Sequence, residues 1–207
     1  MLTAAALALA CEKVPRADEQ AAADPALESH VLESAPTDIE NRAFVDFGGK
    51  LHLIGYALEP KGVAGPGTRL KLKLYWRKVG PLGPGWSLFT HVLDTRGVQI
   101  KNADNDGPLR RITTGADGKP RQALGPSQWQ PGKVYVDEQE IELPTDLKTA
   151  EVTIVVGAWK DRDPSRKTDS THRLSVISGP SDGRNRGIVA HVPTGLKVSA
   201  LPAGPKT

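Results

Sequence analysis

The apolar residues of this chain recur mostly at every second position. Leu70, Leu72, Leu74 and Trp76 alternate with Arg69, Lys71, Lys73, Tyr75 and Arg77, which puts the two sets on opposite faces of a strand. The second set holds four cations and one tyrosine, so only the leucine face suits a core. Pro81, Gly83, Pro84 and Gly85 then break the run as loop residues do. Residues 86–93 follow with Trp86, Leu88, Thr90 and Val92 on one side and Phe89, His91 and Leu93 on the other. Both sides are mostly apolar, which predicts a central strand covered on two faces. Asp94-Thr95-Arg96-Gly97 is a turn signal.

The same alternation extends along the chain. Residues 43–47 and 51–56 flank Gly48-Gly49 and predict a hairpin. Residues 98–101, 133–143, 151–159, 173–178 and 187–192 predict further strands, and no convincing helical period interrupts them. Short strands separated by turn signals predict an all-β fold, a single immunoglobulin-like β-sandwich of about 7–9 strands over residues 41–207. Residues 102–128 lack a regular pattern and are long for a connection. They read either as a functional loop or as a surface excursion.

Composition adds a compartment. Residues 12–40 hold eight acids and two bases, net −6; with +3 for the whole chain, residues 41–207 carry +9. A basic body suggests an anionic neighbour, such as lipid headgroups, an acidic glycan or nucleic acid. Residues 1–10 are apolar apart from Thr3 and lead into Ala8-Leu9-Ala10-Cys11, which resembles the end of a bacterial lipoprotein signal peptide. Such a motif implies a signal segment over residues 1–10 and acylation of Cys11. Residues 11–40 then serve as a disordered, flexible acidic tether to the membrane, with a short helix near residues 25–34 expected to be marginal rather than docked. The implied location is the cell envelope, at the outer membrane of a Gram-negative bacterium, which makes nucleic acid a poor partner. Nine apolar residues among ten fall short of the roughly 20 needed to span a bilayer. Cys11 is the sole cysteine, so no internal disulfide and no multi-cysteine metal site can form.

A family resemblance rests on five pieces. They are Leu53-Ile54-Gly55-Tyr56, the run LKLKLYWR at residues 70–77, Phe89-Thr90-His91-Val92-Leu93-Asp94 with Gly97, Trp129-Gln130-Pro131-Gly132 with Asp137 and Leu143-Pro144, and Gly157-Ala158-Trp159. Over residues 44–160 the chain resembles the extracytoplasmic immunoglobulin-like β-sandwich domain of some bacterial mannosyltransferase-type membrane glycosyltransferases. The resemblance implies a sandwich facing away from the cytoplasm. It carries over no transferase activity, because the membrane helices and catalytic part of such enzymes have no counterpart here.

No nucleophile elbow, phosphate loop or paired-histidine metal spacing is present, and no cofactor or metal is implied. Asp104-Asn105-Asp106-Gly107 matches a fragment of a calcium loop, which Asp161 and Asp163 could complete, and equally a plain turn. His91, in an apolar strand, reads as a hydrogen-bonded core residue. Trp86 and Trp129 stand at loop–strand junctions and are candidates for stacking on sugar rings, or for packing under a loop end. Lys71 and Lys73 belong to a cationic row that Arg110, Arg111, Lys119 and Arg121 could extend into an anion-binding stripe. Glu138, Glu140 and Glu142 would answer that row instead if their strand lies alongside. Together these features describe a membrane-anchored, non-enzymatic envelope lipoprotein acting as an interaction module for a protein partner. The alternatives are a carbohydrate-binding module for an envelope or extracellular, possibly anionic, polysaccharide and, third, an enzyme with a loop-built site.

Overall fold

The computed structural model describes residues 25–115, 118–160 and 172–197. Cys11, the expected signal segment, residues 12–24 and the aspartates Asp161 and Asp163 lie outside them. A one-turn helix, α1 (Pro25–Glu28), precedes β1 (Val31–Leu32), β2 (Asn41–Phe47), β3 (Leu51–Glu59), β4 (Arg69–Lys78), β5 (Trp86–Leu93) and β6 (Gln99–Asn102). There follow β7 (Ile112–Thr114), β8 (Pro120–Gln122), a 3-10 turn (Pro126–Gln128), β9 (Val134–Glu142), β10 (Glu151–Lys160), β11 (Val176–Ser178) and β12 (Gly187–Pro193).

Six strands form one antiparallel sheet in the order β1-β9-β4-β3-β2-β11, and four form a second in the order β12-β10-β5-β6. β4 pairs with β9 in the first sheet, while the long strands that follow each of them, β5 and β10, pair in the second. This interlock ties the two layers of the β-sandwich together. The alternating positions supply the core. Leu70, Leu72, Leu74 and Trp76 on β4, Leu88 and Val92 on β5, and Val152, Ile154 and Val156 on β10 are all buried. The Gly48-Gly49 turn forms as the sequence predicts. Both glycines take φ of 63°, and the Gly49 N–H donates to Asp46 Oδ1 at 2.7 Å.

Two boundaries differ from the sequence expectation. The ordered domain begins before residue 41: Leu27 is 3% exposed, β1 pairs with β9, and His30 Nδ1–H donates to the Val136 carbonyl at 3.0 Å. Residues 25–40 are therefore part of the sandwich rather than of a tether. Burying one leucine contributes about 1.5–3 kcal/mol, and a two-residue strand is enough to cover part of an exposed sheet edge. The strands described number twelve rather than about 7–9, because β1, β7 and β8 are only two or three residues long.

Residues 102–128 are packed rather than free. Leu109 and Leu124 reach the core, and β7 and β8 form a hairpin of their own. The Gln122 side chain caps β5 like a neighbouring strand: Nε2 donates to the Leu88 carbonyl and Oε1 accepts from the Leu88 N–H, both at 2.8 Å. Arg110, fully buried, donates to Asp137 on β9 through Nε at 2.9 Å and an NH2 nitrogen at 2.6 Å. The fold spends a buried ion pair to hold this segment between the sheets.

Candidate functional site: an arginine pocket

β5 is covered on both faces. Its inner side chains enter the core, while Phe89 and His91 lie on the outer face of the four-stranded sheet, in register with Gly157 and Val155 of β10. Gly157 makes room for the Phe89 ring, since an added Cβ would stand 2.6 Å from Phe89 Cζ. His91 stacks on Phe89 with centroids 4.9 Å apart. Arg173, bridged to Trp159 at the end of β10, holds its guanidinium 5.2 Å from the Phe89 centroid, a cation–π arrangement. The Arg173 side chain also donates to the Arg184 carbonyl at 2.9 Å, which ties the 179–186 loop over this face.

These elements enclose a cavity of about 530 Å³. Phe89, His91 and Trp159 contribute from β5 and β10. Arg96 comes from the β5–β6 turn, Asp104 from the segment after β6, and Arg173, Arg184 and Arg186 from the returning chain. Its charged lining is four arginines to one aspartate. Arg96 is held by Asp94 at 2.8 Å, and Arg186 by Asp182. Burial, and then the neighbouring charges of Arg186 and Arg184, pull the Arg173 guanidinium below its ordinary range despite the opposing pull of Asp182 and Asp104. An anion bound beside Arg173 would favour its charged form.

His91 Nε2 meets Asp104 Oδ1 at 3.2 Å. Asp104 also accepts from the Thr90 N–H at 3.2 Å and from Asn102 Nδ2 at 3.0 Å. Burial pushes the Asp104 carboxyl up, but the His91 bond and charge, the Asn102 bond and the Arg110 charge outweigh it and hold the group below its usual value. The other His91 nitrogen, Nδ1, and the Trp159 indole Nε1 are buried without a hydrogen-bond partner. Unpaired buried polar atoms are uncommon in native proteins, and two bordering one cavity call for an explanation such as a ligand or water.

The sequence-predicted candidates fall elsewhere. Trp129 is 2% exposed, stacked on Tyr135 at 4.4 Å, with Nε1 donating to the Leu124 carbonyl at 3.0 Å; it is a packing residue, not a sugar platform. Trp86 is half-buried against the core, and its N–H donates to Ser127 Oγ at 3.2 Å. Arg110 is spent on Asp137, and Arg111 is exposed beside β7, outside the cavity. Lys71 and Lys73 form no anion-binding stripe. The β4–β9 register sets Lys71 opposite Glu140, Lys73 opposite Glu138 and Arg69 opposite Glu142. Lys73 Nζ pairs with Glu138 at 2.8 Å, and Arg69 reaches both other glutamates. Those lysines instead line a second cavity of about 560 Å³ on the six-stranded sheet, beside Asp38, Glu40 and Glu59 as well as Glu138 and Glu140. Among the described residues no group of three or more His, Cys, Asp or Glu is placed to hold a metal, and Asp104 is spent on His91, Thr90 and Asn102.

The arginines of the site come from three separate stretches and share no spacing. The one local signal was Arg184 and Arg186 two apart, just before a strand. No protein-family model matches the chain, and no curated protein matches it.

Proposed function

We propose that this protein is a non-enzymatic binding module, acylated at Cys11 and held at the bacterial envelope, that captures an anionic ligand in the arginine pocket. The observation that carries the reading is that pocket: four arginines, one aspartate and two unpartnered ring nitrogens about a single cavity. The Ala8-Leu9-Ala10-Cys11 motif supports the anchor, and the resemblance to extracytoplasmic glycosyltransferase domains supports an exported sandwich. Among the described residues no helix is long and apolar enough to cross a membrane; in this reading acyl chains on Cys11 hold the protein at the membrane.

A pocket is favoured over a broad apolar docking face. Among the described residues the exposed large apolar side chains, Phe44, Val63, Val79, Val98, Ile112 and Ile177, come from β2, β7, β11 and three connections, and only β2 and β11 of these strands are paired neighbours. Among the described residues His91 Nδ1, the free end of the His91–Asp104 pair, meets no hydroxyl or thiol that it could activate, which supports binding over nucleophilic catalysis. Calorimetric titration of the purified protein with sulfate at low salt tests the reading. Arg184→Glu places a carboxylate on an exposed part of the rim and should weaken sulfate binding by about tenfold or more, while Lys71→Glu, on the opposite sheet, should not. Equal losses in both variants, or no sulfate binding by the unaltered protein, would contradict it.

A further inference from the structure

We propose that the arginine pocket takes an acidic sugar residue: an oxyanion, carboxylate or phosphate, carried on a hydroxylated ring. This rests on the anion-binding reading above and adds the part of the ligand that the arginines do not touch. Two orphaned nitrogens border the cavity-lining rings of His91 and Trp159. Trp159 Nε1–H can only donate, so it calls for an acceptor oxygen. His91 Nε2 faces the Asp104 carboxylate, which only accepts, so Nε2 carries the proton. Nδ1 then offers a lone pair when unprotonated and an N–H when protonated. A bare oxyanion answers the indole and the guanidiniums, and answers Nδ1 only in the second case. A hydroxyl next to the oxyanion, which both donates and accepts, answers Nδ1 in either case.

The size and shape of the cavity agree. About 530 Å³ lies within the usual range for small-molecule sites, about 300–1,000 Å³. The site offers no open aromatic face for a neutral sugar to stack on. Phe89 is 1% exposed, with His91 stacked on its ring, Arg173 near it and Gly157 beneath. Recognition therefore falls to charge and hydrogen bonds. Arg184, exposed on the rim, supplies the outer guanidinium. Neither ring nitrogen is open to solvent, so contact with a ligand oxygen requires the cavity wall to move.

The test is titration of the purified full-length protein with glucuronate, glucose 6-phosphate, glucose and sulfate, before and after Trp159→Phe and Arg184→Ala. At least one acidic sugar should bind about tenfold tighter than sulfate, and glucose should not bind measurably; the tighter of the two acidic sugars names the acid group. Trp159→Phe removes only the indole donor and keeps the ring bulk. It should weaken the acidic sugar by about tenfold without lowering the melting temperature of the free protein, since no hydrogen bond is lost there. Arg184→Ala should weaken both anions. Sulfate binding as tightly as either acidic sugar, or an unchanged affinity in Trp159→Phe, would overturn the acidic-sugar assignment and leave the anion-binding reading standing. No binding of any anion would overturn both.

Discussion

Asp104 links the fold to the pocket: it orients His91, accepts from the Thr90 amide and fixes Asn102. Its carboxyl titrates below its usual value, because the bonds and charges about it outweigh its burial. Unfolded, it takes up a proton near pH 3.9, the value for an unperturbed aspartate of roughly that size; folded, it does so only at lower pH. The folded chain therefore binds fewer protons, and the stability Asp104 contributes is complete above that range and is lost as pH falls through it. Asp94 behaves alike: burial is outweighed by the Val98 and Arg96 amides and the Arg96 side chain. The melting temperature should stay flat from about pH 7 to 5 and drop steeply below about pH 4. In Asp104→Asn the acid limb should be shallower, and circular dichroism melts across pH would show it; the same slope in both proteins would refute the assignment. At this scale the sequence left two outcomes open for Lys71 and Lys73, and both were legible in the spacing. What it could not contain was the register that sets Glu138 and Glu140 opposite them, because pairing between distant strands is fixed by packing across the sheet.

The elements that alternate over seven residues or more were legible. β4 and β5 fall within one residue of their sequence-predicted limits, and β5 is central and covered on both faces. β1, β7 and β8, of two or three residues, were not, because alternation cannot be recognised over so few positions. The segment 102–128 shows what was hidden: it has no period, yet it is bound into the core by Leu109, Gln122 and the Arg110–Asp137 pair. Asp137 is also reached by Trp76 Nε1 at 3.3 Å, so one carboxylate joins β4, β9 and this segment. Removing one partner of a buried pair strands the other charge, at a cost of about 3–5 kcal/mol. Arg110→Met alone should therefore destabilise by about that much in urea unfolding, and Arg110→Met with Asp137→Leu should recover most of the loss. A double variant as unstable as the single one would mean that the pair stabilises the fold beyond charge balance. The segment also presses its backbone on β9: Gly107, at φ 94°, would place an added Cβ 2.0 Å from the Glu138 carbonyl oxygen.

At the scale of the whole molecule the two sheets present opposite faces. The six-stranded sheet bears a cavity lined by five carboxylates and two lysines, and the four-stranded sheet one lined by four arginines and one aspartate. The basic excess of residues 41–207 was plain in the sequence, but the gathering of four arginines on the four-stranded sheet was not. The arginines that gather come from the β5–β6 turn, the stretch beside β10 and the loop before β12, and only the sandwich brings them together. The acyl anchor belongs to this scale too. Cys11→Ala should release the protein from membranes into the soluble fraction, and unchanged membrane retention would refute lipid anchoring. The central claim is where the ligand sits. Its most direct measurement is nuclear magnetic resonance of the isotopically labelled protein as sulfate is added, following the backbone amides and the Trp159 indole N–H. The account requires the shifts to concentrate at Phe89, His91, Gly97, Trp159 and Arg184; shifts centred on Lys71 and Lys73, or none above the effect of added salt, would contradict it.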